Sequence, residues 1–179
     1  MQKQTYIALL RGINVGGHNP LKMEKLRLLC ENLGLERVQT YIQSGNVLFQ
    51  TTPIAPLVLA QSIRQAIQQE CGLEVPCLVK TAAAWADILQ KNPFLTSEAD
   101  PAHLHFTFLE QPAPSTDFIK GEFGKDTYFV SAEGVYLNCP DGYQKTKLHN
   151  NFIEKSAQQT ASTRNWKTIC AIWELSKAI

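Results

Sequence analysis

Apolar positions along this chain recur with two spacings in turn, and that alternation lays out its elements. Thr5 to Arg11 is a nearly unbroken apolar run that reads as a buried strand. Gly12 to His18 is a glycine-rich loop, and Asn19-Pro20 has the form of an N-cap followed by a first-turn proline. Met23, Leu26, Cys30 and Leu33 then repeat at helical spacing until Gly34 supplies a left-handed stop. Between Arg37 and Thr51 the period drops to two, with Val38, Thr40 and Ile42 alternating against Gln39, Tyr41 and Gln43. A tight Ser44-Gly45 connection makes this stretch a hairpin of Arg37–Gln43 and Asn46–Thr51. Pro53 and Pro56 precede a second helix, Leu57 to Cys71, which Gly72 ends. A fourth strand, Val75–Lys80, leads to a short helix capped by Thr81 that carries Trp85, Ile88 and Leu89 and stops near Asn92-Pro93.

The resulting β-α-β-β-α-β order predicts an α+β protein. Its N-terminal domain, residues 1–95, is expected to be ferredoxin-like: four antiparallel strands with two helices on one face, plus an extra helix. Periodicity is lost between Thr96 and Pro101, so the boundary is placed there. Residues 96–179 form a smaller α+β domain of βαββα type. Strand His103–Glu110 is followed by a short helix Thr116–Glu122, strands Thr127–Ser131 and Val135–Cys139, and two final helices near Lys147–Gln158 and Thr163–Lys177. This order echoes the first domain without any residue-level repeat.

Composition narrows the class. The 179 residues are 44% hydrophobic and only 18% charged, with a net charge of +1, which excludes a disordered acidic tail and a strongly basic nucleic-acid coat. The same balance argues against broad duplex binding, which needs a larger cationic footprint. The apolar run near the N-terminus is too short for a signal or a membrane span. Five scattered cysteines without a C-x-x-C pair suit a reduced, cytoplasmic setting.

Several strings together resemble a bacterial family, domain of unknown function 1697. They are Ala8-Leu9-Leu10-Arg11-Gly12-Ile13-Asn14-Val15-Gly16-Gly17 and Thr40-Tyr41-Ile42-Gln43-Ser44-Gly45-Asn46-Val47-Leu48-Phe49. Asn92-Pro93-Phe94, Tyr136-Leu137 leading to Pro140-Asp141-Gly142, Lys147-Leu148 and Thr163-Arg164-Asn165-Trp166 continue them in order. The resemblance implies a cytosolic α+β protein of ferredoxin-like character with no assigned activity. The family's loop often carries lysine where this chain has His18.

The candidate chemistry centres on anions. A glycine-rich turn between a strand and a helix can aim several backbone N–H groups at one spot, where the helix dipole adds positive charge. Arg11, Asn14, Gly16 and Gly17 are the expected ligand-binding residues there, with Gln43, Ser44 and Asn46 at the hairpin tip. Lys147, Arg164 and Asn165 join them from a basic C-terminal segment in which Lys145, Lys147, Lys155, Arg164 and Lys167 face a single acid, Glu154. The loop is neither a Walker A nor a G-x-G-x-x-G sequence. His103 and His105 have a spacing that suits metal but lack further ligands, so no metal and no cofactor is expected.

The leading function is therefore binding of an anionic small molecule, a nucleotide or a nucleic-acid end. An enzyme acting on a phosphorylated substrate, a transferase or hydrolase with His18 or Asp141 as base, is the first alternative. A homodimeric interaction protein using the bare face and edges of a sheet is the second.

Overall fold

The opening apolar run folds as β1 (Gln4–Leu10), an inner strand whose Ile7, Ala8, Leu9 and Leu10 are fully buried, in a computed structural model that describes residues 2–96 and 98–179. After it come α1 (Met23–Asn32), β2 (Glu36–Tyr41), β3 (Asn46–Thr51), α2 (Pro56–Cys71), β4 (Cys77–Thr81) and α3 (Ala82–Gln90). These strands form one antiparallel sheet in the order β2-β3-β1-β4. Tyr6, Ala8, Leu10, Val47, Phe49 and Val79 share a core with Leu26 and Cys30 of α1 and Ile63 and Ile67 of α2. Burial pushes the Cys30 thiol up to about 12, so it serves as a small hydrophobe. On the alternate positions Ile7, Leu9, Leu48 and Leu78 are fully buried too. That face is therefore not bare across β1, β3 and β4, while Gln39 of β2, paired with Leu48, is exposed.

The second half contains β5 (Leu104–Leu109), β6 (Thr127–Ser131), β7 (Gly134–Asn138), α4 (Asn150–Ala157), β8 (Ala161–Asn165) and α5 (Trp166–Ser176). Its sheet, β6-β7-β5-β8, repeats the strand order of the first and is again antiparallel throughout. Leu109, Val135, Leu137, Leu148, Ile153 and Ala161 form its core on the side of α4. Two compact units result, residues 1–85 with 172–179 and residues 86–171. Among the described residues there are five α-helices, and none is long and apolar enough to cross a membrane.

Three sequence expectations need correction. The first helix begins at Met23, not at Asn19-Pro20, and its N-cap Lys22 makes no side-chain capping bond. Asn19 instead takes a left-handed backbone and donates from Nδ2 to the Gly12 carbonyl. The helix expected at Thr116–Glu122 is absent, and the segment is irregular. Too short to nucleate alone, it carries Pro112 and Pro114 before it and left-handed Gly121 and Gly124 at its end. Finally, Thr163-Arg164-Asn165 does not open the last helix but ends strand β8, with α5 following directly. Ser and Thr cap helices, but here the β5 edge offers a ladder and Thr107 Oγ1 meets Thr163 Oγ1 at 2.8 Å.

Gly45, in the turn between β2 and β3, has φ +82°, and a Cβ there would come within 2.7 Å of both Leu10 Cβ and Ile13 Cδ1. Gly17 has a similar φ, +79°, with nothing within 4 Å. Gly45→Ala should therefore cost roughly 2–5 kcal/mol and Gly17→Ala only about 1–2 kcal/mol in urea unfolding, because only the first adds overpacking to backbone strain. Equal losses would contradict the packing.

Candidate functional site

Two places in the structure collect the residues singled out by sequence. In the first unit, the end of β1, the loop after it and the β2–β3 turn meet in one corner. Leu10 N–H donates to Gly45 O at 2.8 Å, and Arg11 N–H to Pro76 O at 2.9 Å. Asn14 is the tie between the strings: its Nδ2 donates to Leu21 O and Gln43 O at 2.8 and 3.0 Å, and its Oδ1 accepts from Leu21 N–H at 2.9 Å. Asn46 is fully buried and donates to Tyr41 O and Ser44 Oγ. The corner thus sets Asn14 against Gln43 and Ile13 against Gly45, with Arg11, Ser44 and Asn46 next to them in the chain and Gly16 and Gly17 further along the loop, and the amides of Asn14 and Asn46 hold its own backbone.

Part of the loop's backbone is also engaged internally, Asn14 N–H by Asn19 O and His18 N–H by Val15 O. Gly16 and Gly17 are exposed with left-handed backbones, and their N–H groups meet no acceptor among the described residues. The segment Pro20–Lys22 separates this loop from α1, so the helix end does not open directly onto the glycines.

The second place lies wholly within residues 86–171. A cavity of about 680 Å³ is lined by Leu95, Pro101, Ala102, His105, Asn165, Trp166, Lys167 and Cys170. It forms where β8 passes into α5 without a loop. Asn165 is in register with His105 across the β5–β8 ladder and also caps α5, its Oδ1 accepting from Thr168 N–H at 2.8 Å. The first amides of α5 and the Lys167 ammonium stand at this end of the helix, and no carboxylate is among the lining side chains.

His105 is 9% exposed. Its Nδ1 lies 3.3 Å from His103 O, and its ring stacks on Tyr143 with centroids 4.6 Å apart. Tyr143 is fixed in turn, its hydroxyl oxygen accepting from Asn150 N–H at 2.9 Å. Burial holds the His105 imidazole below its usual pKa range, a shift the carbonyl contact opposes and nearby His103 reinforces.

Arg164 sits beside this cavity in sequence but on the other face of β8 from Thr163 and Asn165, and its Nη1 donates to Ser162 Oγ and Thr163 O. Lys147 is exposed and outside the lining. Of the expected ligand residues Lys147, Arg164 and Asn165, Asn165 is the one in the lining, joined there by Lys167 of the same basic segment. In sequence, His105 stands out by its spacing from His103 and Trp166 as part of a family string, and neither points to a cavity. Their grouping depended on the β5–β8 register, which no local pattern discloses. Among the described residues no three His, Cys, Asp or Glu side chains gather to hold a metal.

A family model described as a protein of unknown function (DUF1697) matches residues 3–136. The chain belongs to the DUF1697 family. No curated protein matches it. A solved structure of the conserved bacterial protein SP0830 from Streptococcus pneumoniae is similar, with a TM-score of 0.79 at 24% identity, covering 98% of this chain and 99% of that one. At that identity the likeness speaks for the fold. In DUF1697 terms, the loop and hairpin strings fall inside the matched span, while Asn165, Trp166, Lys167 and Cys170 of the cavity fall beyond it.

Two tests follow from these contacts. Asn14→Ala removes three hydrogen bonds and should destabilise the protein by about 1.5–4 kcal/mol in urea unfolding, with Asn14→Asp intermediate because it keeps the Leu21 N–H acceptor. For His105 the unfolded chain binds its proton more readily than the folded one. Stability therefore rises with pH up to the ordinary value of 6.5 and is lost as pH falls below it. The thermal midpoint should drop between pH 7 and pH 5, and His105→Gln should flatten part of that drop. An identical pH profile in the variant would contradict the assignment.

Proposed function

We propose that this protein binds a small organic anion with an apolar body in the cavity of residues 86–171. One observation carries the reading: a cavity of about 680 Å³, in the size range of small-molecule sites, has mostly apolar walls, with Asn165 and Lys167 at the start of α5 and His105 on β5. Leu95, Pro101, Ala102 and Trp166 suit an apolar ring or chain, while Lys167, the Asn165 side-chain amide and the positive end of α5 suit a carboxylate. The anion-binding expectation is kept, with its centre at Asn165–Lys167.

A second reading keeps the glycine-rich corner as a separate phosphate-binding point. It is favoured by the Gly16 and Gly17 N–H groups, which meet no acceptor among the described residues, close in sequence to Arg11. We also read both sheets, with their shared strand order, as ferredoxin-like. The five thiols fit a reducing cytoplasm.

Calorimetric titration with phenylacetate, benzoate and octanoate tests the main reading. At least one should bind, and Lys167→Ala should weaken it about tenfold, the effect of losing one charge-assisted hydrogen bond. Uptake of none of the three, or no effect of the substitution, overturns it. Inorganic phosphate with Arg11→Ala examines the second point, which is discarded if phosphate does not bind or binds the variant equally.

A further inference from the structure

We propose that His105 selects, among organic acids in that cavity, those that carry a hydroxyl or N–H group on the apolar body, by accepting a hydrogen bond at Nε2. This rests on the reading of the cavity just given and adds a specificity-determining residue to it.

The His103 carbonyl fixes the tautomer of His105. A carbonyl oxygen only accepts, so the contact at 3.3 Å requires the proton to sit on His105 Nδ1. In the neutral ring Nε2 is then a bare lone pair, and burial keeps the ring neutral near pH 7. No group among the described residues donates to Nε2. The ring cannot readily turn to find a donor, because Tyr143 stacks against it and Asn150 N–H holds the Tyr143 hydroxyl. Beneath it, Thr163 Oγ1 donates to Asn150 Oδ1 and meets Thr107 Oγ1, so the support continues across the strands.

Water in the cavity satisfies such an acceptor, and an apolar ligand that expels this water leaves it unmet. An unmet buried acceptor weakens binding, whereas a ligand hydroxyl restores the lost bond. Lys167 and the Asn165 amide recognise the acid end, and His105 reads the opposite kind of group, a donor. The ligand class is thus a hydroxy or amino acid with an aromatic or branched apolar frame.

The experiment compares phenylacetate with its ortho-, meta- and para-hydroxy derivatives by calorimetry at pH 7.5. At least one hydroxylated isomer should bind roughly tenfold more tightly than phenylacetate. In His105→Phe, whose ring retains the stack on Tyr143 without an acceptor, that ratio should fall to about one. A ratio near one in the wild type, or a ratio kept in the variant, overturns the role of His105 while leaving the cavity standing. Binding of neither phenylacetate nor its derivatives overturns both. Should His105→Phe fail to fold, nitrogen-15 spectra of the wild-type histidines decide. They should show His105 protonated at Nδ1, with Nε2 shifting only on addition of the hydroxylated acid. Protonation at Nε2, or no such shift, overturns the proposal.

Discussion

The second half of this protein depends on a strand that becomes a helix without a loop. Asn165 is the last residue of β8 and the capping residue of α5 at once. Its ladder pairing with His105 fixes where the helix starts, and its side chain fixes the direction of the first turn. The positive end of α5 and the imidazole of β5 are thereby held on one cavity by two backbone-level constraints. Neither depends on a long, flexible side chain, so the geometry of both is set by the fold itself.

The glycine-rich corner of the first unit has the opposite economy. Its sequence carries the marks of a ligand loop, glycines, asparagines and a flanking arginine. Yet Asn14 bonds Leu21 and Gln43, Asn46 bonds Tyr41 and Ser44, and the missing Cβ of Gly45 lets Leu10 and Ile13 close over the turn. Strings thirty residues apart in the chain are held together by amide side chains that replace a regular ladder at the sheet's end. Much of what makes these strings distinctive is accounted for by this tie, while the Gly16 and Gly17 N–H groups are among those of the loop that meet no acceptor among the described residues.

Legibility followed the range of the forces involved. The strands of the first sheet, the α2 start at Pro56 and its left-handed end at Gly72 were readable because hydrophobic period and capping are local. The start of α1 was not, since Asn19 meets Gly12 across the loop and not the helix it precedes. Strand β8 was hidden for the same reason. Ser162 and Thr163 suit a helix start in isolation, and only the presence of β5 alongside turns them into a ladder. The cavity was least visible of all, because Leu95, His105 and Trp166 come from three separate segments and no one of them carries a motif.

The two sheets supply an internal comparison that bears on why a cavity exists in one of them. In the first, β4 also runs straight into a helix, and Thr81 Oγ1 caps it by accepting from Ala84 N–H, as Asn165 does for Thr168. The residue paired with Thr81 across the ladder is Tyr6, in the position that His105 holds opposite Asn165. Tyr6 is a closed solution: it is 1% exposed, stacks on Phe49, and its hydroxyl meets both Gln4 and the backbone of Ile54. Replacing a long phenol by an imidazole at the equivalent place shortens the side chain and leaves one ring nitrogen without a partner among the described residues. A corner that the protein's own side chains fill in the first unit is therefore open to a cavity in the second. Topology alone demands neither outcome, so the difference between the two corners lies in the side chain, tyrosine or histidine, and not in the fold.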